Sequence, residues 1–209
     1  MPPTALRADA RRNRERLLDA AREVFAESGL DASLEEIARR AGVRVGTLYH
    51  HFGNRAALVD AAIIDLVEES VSLAERALEL PDAWEGLVEH LTGLAAWQAR
   101  HRGFAEVCVM ALPADSATER AKARGHTAYT RLVARAHEAG ALRADVSAAD
   151  VGLLVWAAVR STEGLREIAP EAWRRHLGVV LDGLRAGSAT PLPGTPLDPA
   201  AVQAAMTFP

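Results

Sequence analysis

Between Arg44 and His51 the chain reads RVGTLYHH, a run of side chains suited to a polyanion. Arg44, Val45, Thr47, Tyr49, His50 and His51 offer a cation, hydroxyls, two imidazoles and an apolar group. That set fits phosphate contacts and base edges in a DNA major groove. Gly46 costs about 1 kcal/mol in a helix relative to Ala, and its missing side chain permits close approach to a surface. Enzymatic chemistry finds little purchase. The seven histidines (His50, His51, His90, His101, His126, His137 and His176) contain no pair at HExxH spacing, and the chain has neither a phosphate-cradling glycine loop nor a nucleophile elbow. His90 and His101, with Glu89, could meet as metal ligands only in an unforeseen fold. A lone cysteine, Cys108, excludes an internal disulfide and a Cys-rich zinc site, and fits a reducing cytoplasm. No metal and no cofactor is expected.

The elements that must position this run are short and well punctuated. Ser33 and Glu36 have capping-box spacing, so each side chain can satisfy a backbone donor at a helix start. Leu34, Ile37, Ala38 and Ala41 follow at i, i+3, i+4 and i+7, one narrow apolar stripe. Gly42 is free to adopt the left-handed conformation that closes a helix. Val45 to Phe52 is again helix-length, with Leu48 and Phe52 one turn apart and facing inward. Asn54 can cap the next helix, with Arg55 at its start beside a phosphate. Two short helices joined by a glycine turn are the sequence form of a helix-turn-helix. By pattern alone, a surface helix of an ordinary bundle fits equally well.

The stretch AGVRVGTLYHHFGNRAALV resembles the core signature of the TetR (tetracycline-repressor-type) regulators, AGVSxGTLYxHFxxKxxL. Ala41, Gly42, Val43, Gly46, Thr47, Leu48, Tyr49, His51, Phe52 and Leu58 match it, over about the first third of the chain. Arg44 stands where Ser is usual, Val45 where Lys is frequent and Arg55 where Lys is usual. The first two departures fall at groove-facing positions and bear on which operator is read. The resemblance implies DNA contacts from Ser33, Arg44, Val45, Gly46, Thr47, Tyr49, His50, His51 and Arg55.

The rest of the chain supports a helical reading. Of 209 residues 49% are hydrophobic and only 5% aromatic, with no convincing alternation of β-branched residues. Net charge is −4, but residues 1–55 hold 10 basic against 8 acidic side chains and the remainder is acidic. A mildly basic head on an acidic body orients the molecule towards a polyanion. After a loose arm over residues 1–8, a first helix is predicted from Asp9 to Ser28. Arg7, Arg11, Arg12 and Arg14 cluster at its beginning, set for the DNA backbone. A long helix follows from Asn54 to Leu80, roughly 39 Å at 1.5 Å per residue. Others run from Asp82 to Arg100, around Gly103 to Leu112, and from Ser116 to Gly140. The last two run from Ser147 to Ile168 and from Pro170 to Ala186. The expected fold is all-α with about nine helices. An N-terminal helix-turn-helix domain covers residues 12–71, a helical sensing and dimerisation domain residues 72–187, and a flexible Pro-rich tail residues 188–209.

Trp97, His101, Phe104, Cys108, His126, Tyr129, Trp156 and Arg160 combine apolar area with sparse polar handles, a composition suited to a small, largely apolar ligand. In the family the last two helices form a four-helix dimer interface, which here implicates Val151, Leu154, Val155, Ala158, Leu177, Leu181 and Leu184. The expected partners are therefore double-stranded operator DNA, a second copy of the chain and a small ligand, in the cytoplasm and without a membrane. A helical protein–protein adaptor built on a degenerate helix-turn-helix is the rival reading.

Overall fold

A computed structural model describes residues 3–101, 112–187, 190–198 and 201–202. Among the described residues the chain is helical throughout. The elements are α1 (Pro3–Ser28), α2 (Leu34–Arg40), α3 (Val45–Phe52), α4 (Arg55–Leu78), α5 (Ala83–Arg100), α6 (Ala117–Glu138), α7 (Ala148–Arg160) and α8 (Ala172–Leu184). A 3-10 turn, Glu163–Leu165, lies between the last two. The helix expected around Gly103 to Leu112 falls outside the described residues, apart from Leu112.

Three boundaries differ from expectation. The first helix begins at Pro3, so the predicted arm is its opening turn, where proline's fixed φ and missing N–H are tolerated. The helix predicted to reach Ile168 ends at Arg160. There the buried Thr162 hydroxyl donates to the Val159 carbonyl at 3.0 Å, a local bond that competes with the helical ladder. The last helix starts at Ala172, two residues after the proline expected to open it.

The chain divides into two compact units, residues 1–67 with 102–121, and residues 68–101 with 122–209. In the first, Leu17, Ile37, Leu48 and Leu58 are fully buried, each contributing about 1.5–3 kcal/mol by removal from water. Gly42 closes α2 at φ 67°, with the amides of Gly42 and Val43 returning to the carbonyls of Arg39 (3.1 Å) and Ala38 (3.0 Å). Arg16 of α1 donates to the Ala41 carbonyl (3.1 Å from Nε) and to the Gly42 carbonyl (3.3 Å), so the same turn is held from outside. Asp60 of α4 accepts the amides of Ala117 (3.3 Å) and Thr118 (2.8 Å), capping the first turn of α6. That cap draws residues 117–121 into the head, a part of the chain expected to belong with the body.

In the second unit α5 crosses α4 closely at Gly86, where a Cβ would come within 2.7 Å of the Ala77 carbonyl oxygen. Arg135 of α6 caps the end of α4 by donating to the carbonyls of Leu78 and Leu80, both at 2.8 Å. A full capping box starts α7: the Asp150 amide donates to Ser147 Oγ at 3.2 Å and the Ser147 amide to the Asp150 carboxylate at 2.7 Å. The segment expected to be a flexible tail is held at three points. Arg143 donates to the Thr190 carbonyl (2.8 Å), and the amides of Leu192 (3.0 Å) and Leu197 (3.4 Å) donate to Asp145 and Asp150. The Arg143 guanidinium, helped by the Leu192 amide, holds the Asp145 carboxyl well below the usual carboxylate range.

Candidate nucleic-acid interface

α3 is anchored by two side chains. Leu48 and Phe52 are buried in the head, while Arg44, Gly46, Tyr49 and His50 are exposed and Val45, Thr47 and His51 half-buried. Tyr49 leaves 49% of its surface in solvent, so one face of this helix is open along its length. Arg44 occupies the N-cap position with extended backbone (φ −78°, ψ 148°) and makes no side-chain cap. A serine there would have supplied that cap. Arg44 instead projects a cation at the start of the helix, where peptide N–H groups also favour an anion. Gly53 at φ 76° ends the helix, and Asn54 Oδ1 accepts the Ala57 amide at 2.9 Å, the cap expected for α4.

Neighbouring elements complete the surface. Arg14 of α1 sits with its guanidinium carbon 5.2 Å from the centroid of the Phe52 ring, beside the end of α3. His50 and His51 meet edge to face at 5.6 Å between ring centroids. Burial pushes the His51 imidazole below its ordinary pKa, and the charges of His50 and Arg14 push the same way. A phosphate placed there would reverse that shift, because an anion stabilises the protonated ring. Arg11 and Arg12 form exposed ion pairs with Glu15 and Asp9 one turn away, and the side chain of Arg7 lies outside the described residues.

Two of the predicted contacts serve the fold instead. Arg55 donates to the Leu30 carbonyl, tying α4 to the loop before α2. A cation expected to face a phosphate is thus spent, at least in part, on an internal carbonyl. Ser33 Oγ accepts the Glu36 amide at 3.2 Å and caps α2. The reciprocal half of that box is absent, because the Glu36 carboxylate pairs with Arg39 at 2.6 Å.

The expected ligand residues separate. Trp97 is fully buried and packs on His101 at 4.7 Å between centroids, while Tyr129 donates to the Ala148 carbonyl at 2.6 Å. Burial, reinforced by the Asp150 charge, drives the Tyr129 hydroxyl far above its usual pKa. His126, Trp156 and Arg160 are exposed, with Arg160 6.0 Å over the Trp156 ring and paired with Glu163 at 2.5 Å. Phe104 and Cys108 lie outside the described residues. His90, weighed in the sequence only as a metal ligand, retains 5% of its exposure on α5 and lies 5.5 Å from Tyr129 between ring centroids. Its one signal was a polar residue inside an otherwise apolar stripe.

The expected dimer residues divide by burial in the single chain. Val151, Val155, Ala158, Leu177 and Leu184 are buried within their own chain, so they have almost no surface to offer a second copy. Leu181 is half-buried and Leu154 is 40% exposed. The large apolar side chains left outward on the last two helices and their connection are Leu154, Trp156, Leu165, Ile168 and Val179, the last 72% exposed.

Two family models match the chain: "Bacterial regulatory proteins, tetR family" over residues 17–62, and "Transcriptional regulator SbtR-like, C-terminal domain" over residues 82–186. A TetR transcription regulatory protein of Mycobacterium vanbaalenii is 35% identical, with a TM-score of 0.51 over 86% of this chain and 99% of that one. The regulator UidR of Escherichia coli is 33% identical over 90 residues, 43% of this chain and 46% of its own length. The repressor KstR2 of Mycolicibacterium smegmatis is 33% identical over 99 residues, 46% of this chain and 47% of its own. The chain thus spans about half the length of these two curated relatives.

Proposed function

Because this chain belongs to the TetR family of bacterial regulatory proteins, we infer that it binds operator DNA as a homodimer, represses transcription, and is released by a small, largely apolar molecule. It is a family of regulators, not of enzymes. The observation that carries the reading is the division of α3, buried through Leu48 and Phe52 and open from Arg44 to His51. A face with a cation, hydroxyls, imidazoles and a glycine has the inventory for phosphate positioning and base readout together. In this reading Tyr49, His50 and His51 contact the backbone and nearby bases. Arg44 and Val45 select sequence, Thr47 and Gly46 allow close approach, and Arg14 supplies a further phosphate contact from α1. Ser33 and Arg55 act by holding α2 and α4 in place. Residues 12–71 form the reading head, with residues 117–121 held against it by Asp60, and the rest of residues 72–187 the sensing and dimerisation body.

Two heads are needed because half-sites on one face of a duplex recur about every 34 Å, and one short helix makes too few contacts alone. The second copy is assigned to the outward apolar side chains of α7, α8 and their connection, centred on Leu154 and Val179. The repressor KstR2, similar to this chain over 99 residues, supports negative control. No described helix is long and apolar enough to cross a membrane, and a DNA partner implies a cytoplasmic location.

Selection from random duplexes, followed by fluorescence anisotropy on the selected sequence, tests the reading. Wild-type protein is expected to select a palindrome and Tyr49→Ala to weaken binding by about 1–3 kcal/mol. Absence of any duplex binding at low salt would sink it. Arg44→Ser and Val45→Lys are expected to select a different sequence, and an unchanged site in both would move specificity elsewhere.

A further inference from the structure

On α5, His90, Leu94 and Gln98 follow at i, i+4 and i+8, so they share one edge of the helix. His90 is buried and its Nδ1 has no hydrogen-bond partner among the described residues. The same holds for the buried Oε1 of Gln98. The apolar core of the same unit includes Leu87, Leu91, Ala95, Leu132 and Val133, and Tyr129 lies 5.5 Å from His90 between ring centroids. Native proteins satisfy nearly all buried polar atoms, because each orphan forfeits its bonds to water. A core that only needed filling would carry Leu or Met at these two places. Two orphans on one helical edge instead describe a surface awaiting a polar partner.

We propose that this edge of α5, with Tyr129 of α6 beside His90, recognises the effector, and that it takes an elongated apolar molecule bearing uncharged hydroxyl or amide groups about 12 Å apart. The spacing is the rise between residues eight apart on a helix. The inference rests on the second unit being the sensing body, and it narrows the ligand class. Gln98 Oε1 only accepts, so the group facing it must be a donor. Burial pushes the His90 imidazole down to about 4, so the ring is neutral at physiological pH. A neutral ring can donate or accept but gives a carboxylate no countercharge. Tyr129 spends its hydroxyl proton on the Ala148 carbonyl at 2.6 Å, and its oxygen already accepts from the Gly152 backbone, so it orders this edge rather than adding a donor. The described edge therefore suits a neutral diol or amide better than an acid.

The test uses the full chain, its thermal unfolding and its operator binding. His90→Leu and Gln98→Met each remove an orphan, so each is expected to raise Tm by about 2–4 °C. A straight-chain eight-carbon α,ω-diol is expected to raise the wild-type Tm, to do so much less in either variant, and to exceed the dicarboxylate of equal length. A lower Tm in both apolar variants, as a buried structural water or an unseen internal partner would give, overturns the proposal. So does a wild type indifferent to the diol, a diol effect equal in wild type and variants, or a dicarboxylate that works as well. Failure of wild-type protein to bind any duplex would instead strike the regulatory reading and leave these ligand results standing.

Discussion

Replacing Gly46 by alanine should move stability and DNA binding in opposite directions. Gly46 lies in the first turn of α3 with helical backbone, and a Cβ built there meets nothing within 4 Å. Alanine is therefore unstrained and restricts the unfolded chain, a gain of about 0.5–1 kcal/mol. If the head melts as its own cooperative unit, that gain raises its Tm by about 2–8 °C, given about 4–8 °C per kcal/mol for so small a unit. The open space that makes the change harmless to the fold is the space proposed for the DNA. A methyl group at closest approach should cost about 1 kcal/mol at each half-site, and a dimer meets it twice. The sum, about 2 kcal/mol, is roughly a 30-fold loss in operator affinity. Differential scanning calorimetry and anisotropy titration on the same preparations read both quantities. A protein that is stabilised yet binds its operator with wild-type affinity would remove Gly46 from the interface. A destabilised protein would refute the open space itself.

Three further outcomes follow from burial and charge. Leu154→Glu should give folded monomers with weakened operator binding, whereas Val155→Glu, one residue on and fully buried, should fail to fold for want of a partner for its charge; gel filtration with circular dichroism separates the cases, and a dimeric Leu154→Glu protein would refute the proposed contact face. Gly86→Ala should lose about 1–3 kcal/mol in denaturant unfolding, because a Cβ 2.7 Å from the Ala77 carbonyl outweighs the roughly 1 kcal/mol gain in helix propensity, and a more stable variant would contradict that close crossing. His90, held neutral with a pKa of about 4 against about 6.5 unfolded, takes up its proton more readily in the unfolded chain. Stability should therefore be independent of this group above pH 6.5 and fall by about 3 kcal/mol in all as pH drops towards 4, and His90→Leu should flatten that part of the stability profile.

What was legible in the sequence was local. The α2–α3 turn follows from Gly42, and the inward and outward faces of α3 follow from Leu48 and Phe52 standing one turn apart. Both are settled within about ten residues of chain. The dimer assignment could not separate core from surface, because an apolar stripe does not announce what it packs against. Leu154 and Val155 are neighbours in sequence and equally apolar, yet a turn of about 100° sends one to solvent and the other into the core. The unpartnered atoms of His90 and Gln98 were passed over for a related reason. Periodicity identifies a buried edge, but whether its polar atoms find partners depends on α6 and on residues far away in the chain. The end of α7 was misjudged because one hydroxyl, Thr162, competes locally with a ladder that composition favours.

The charge of the head shows the same limit from another side. Its arginines look interchangeable in sequence, and their sum suggests a broad cationic surface. In the fold, Arg16 holds the α2–α3 turn, Arg22 binds the Ala62 carbonyl and Asp65, Arg40 pairs with Glu27, and Arg55 reaches Leu30. These cations are structural, and they set the angle at which α3 is offered to a groove. Arg11 and Arg12 stand differently, in exposed pairs worth about 0–1 kcal/mol that a phosphate oxygen can displace at little cost. Arg14 and Arg44 flank the open face of α3 directly. In the proposed reading the head's attraction for DNA rests on few side chains, so where α3 points matters more than how much charge surrounds it, and the internal arginines act on DNA binding only through the fold.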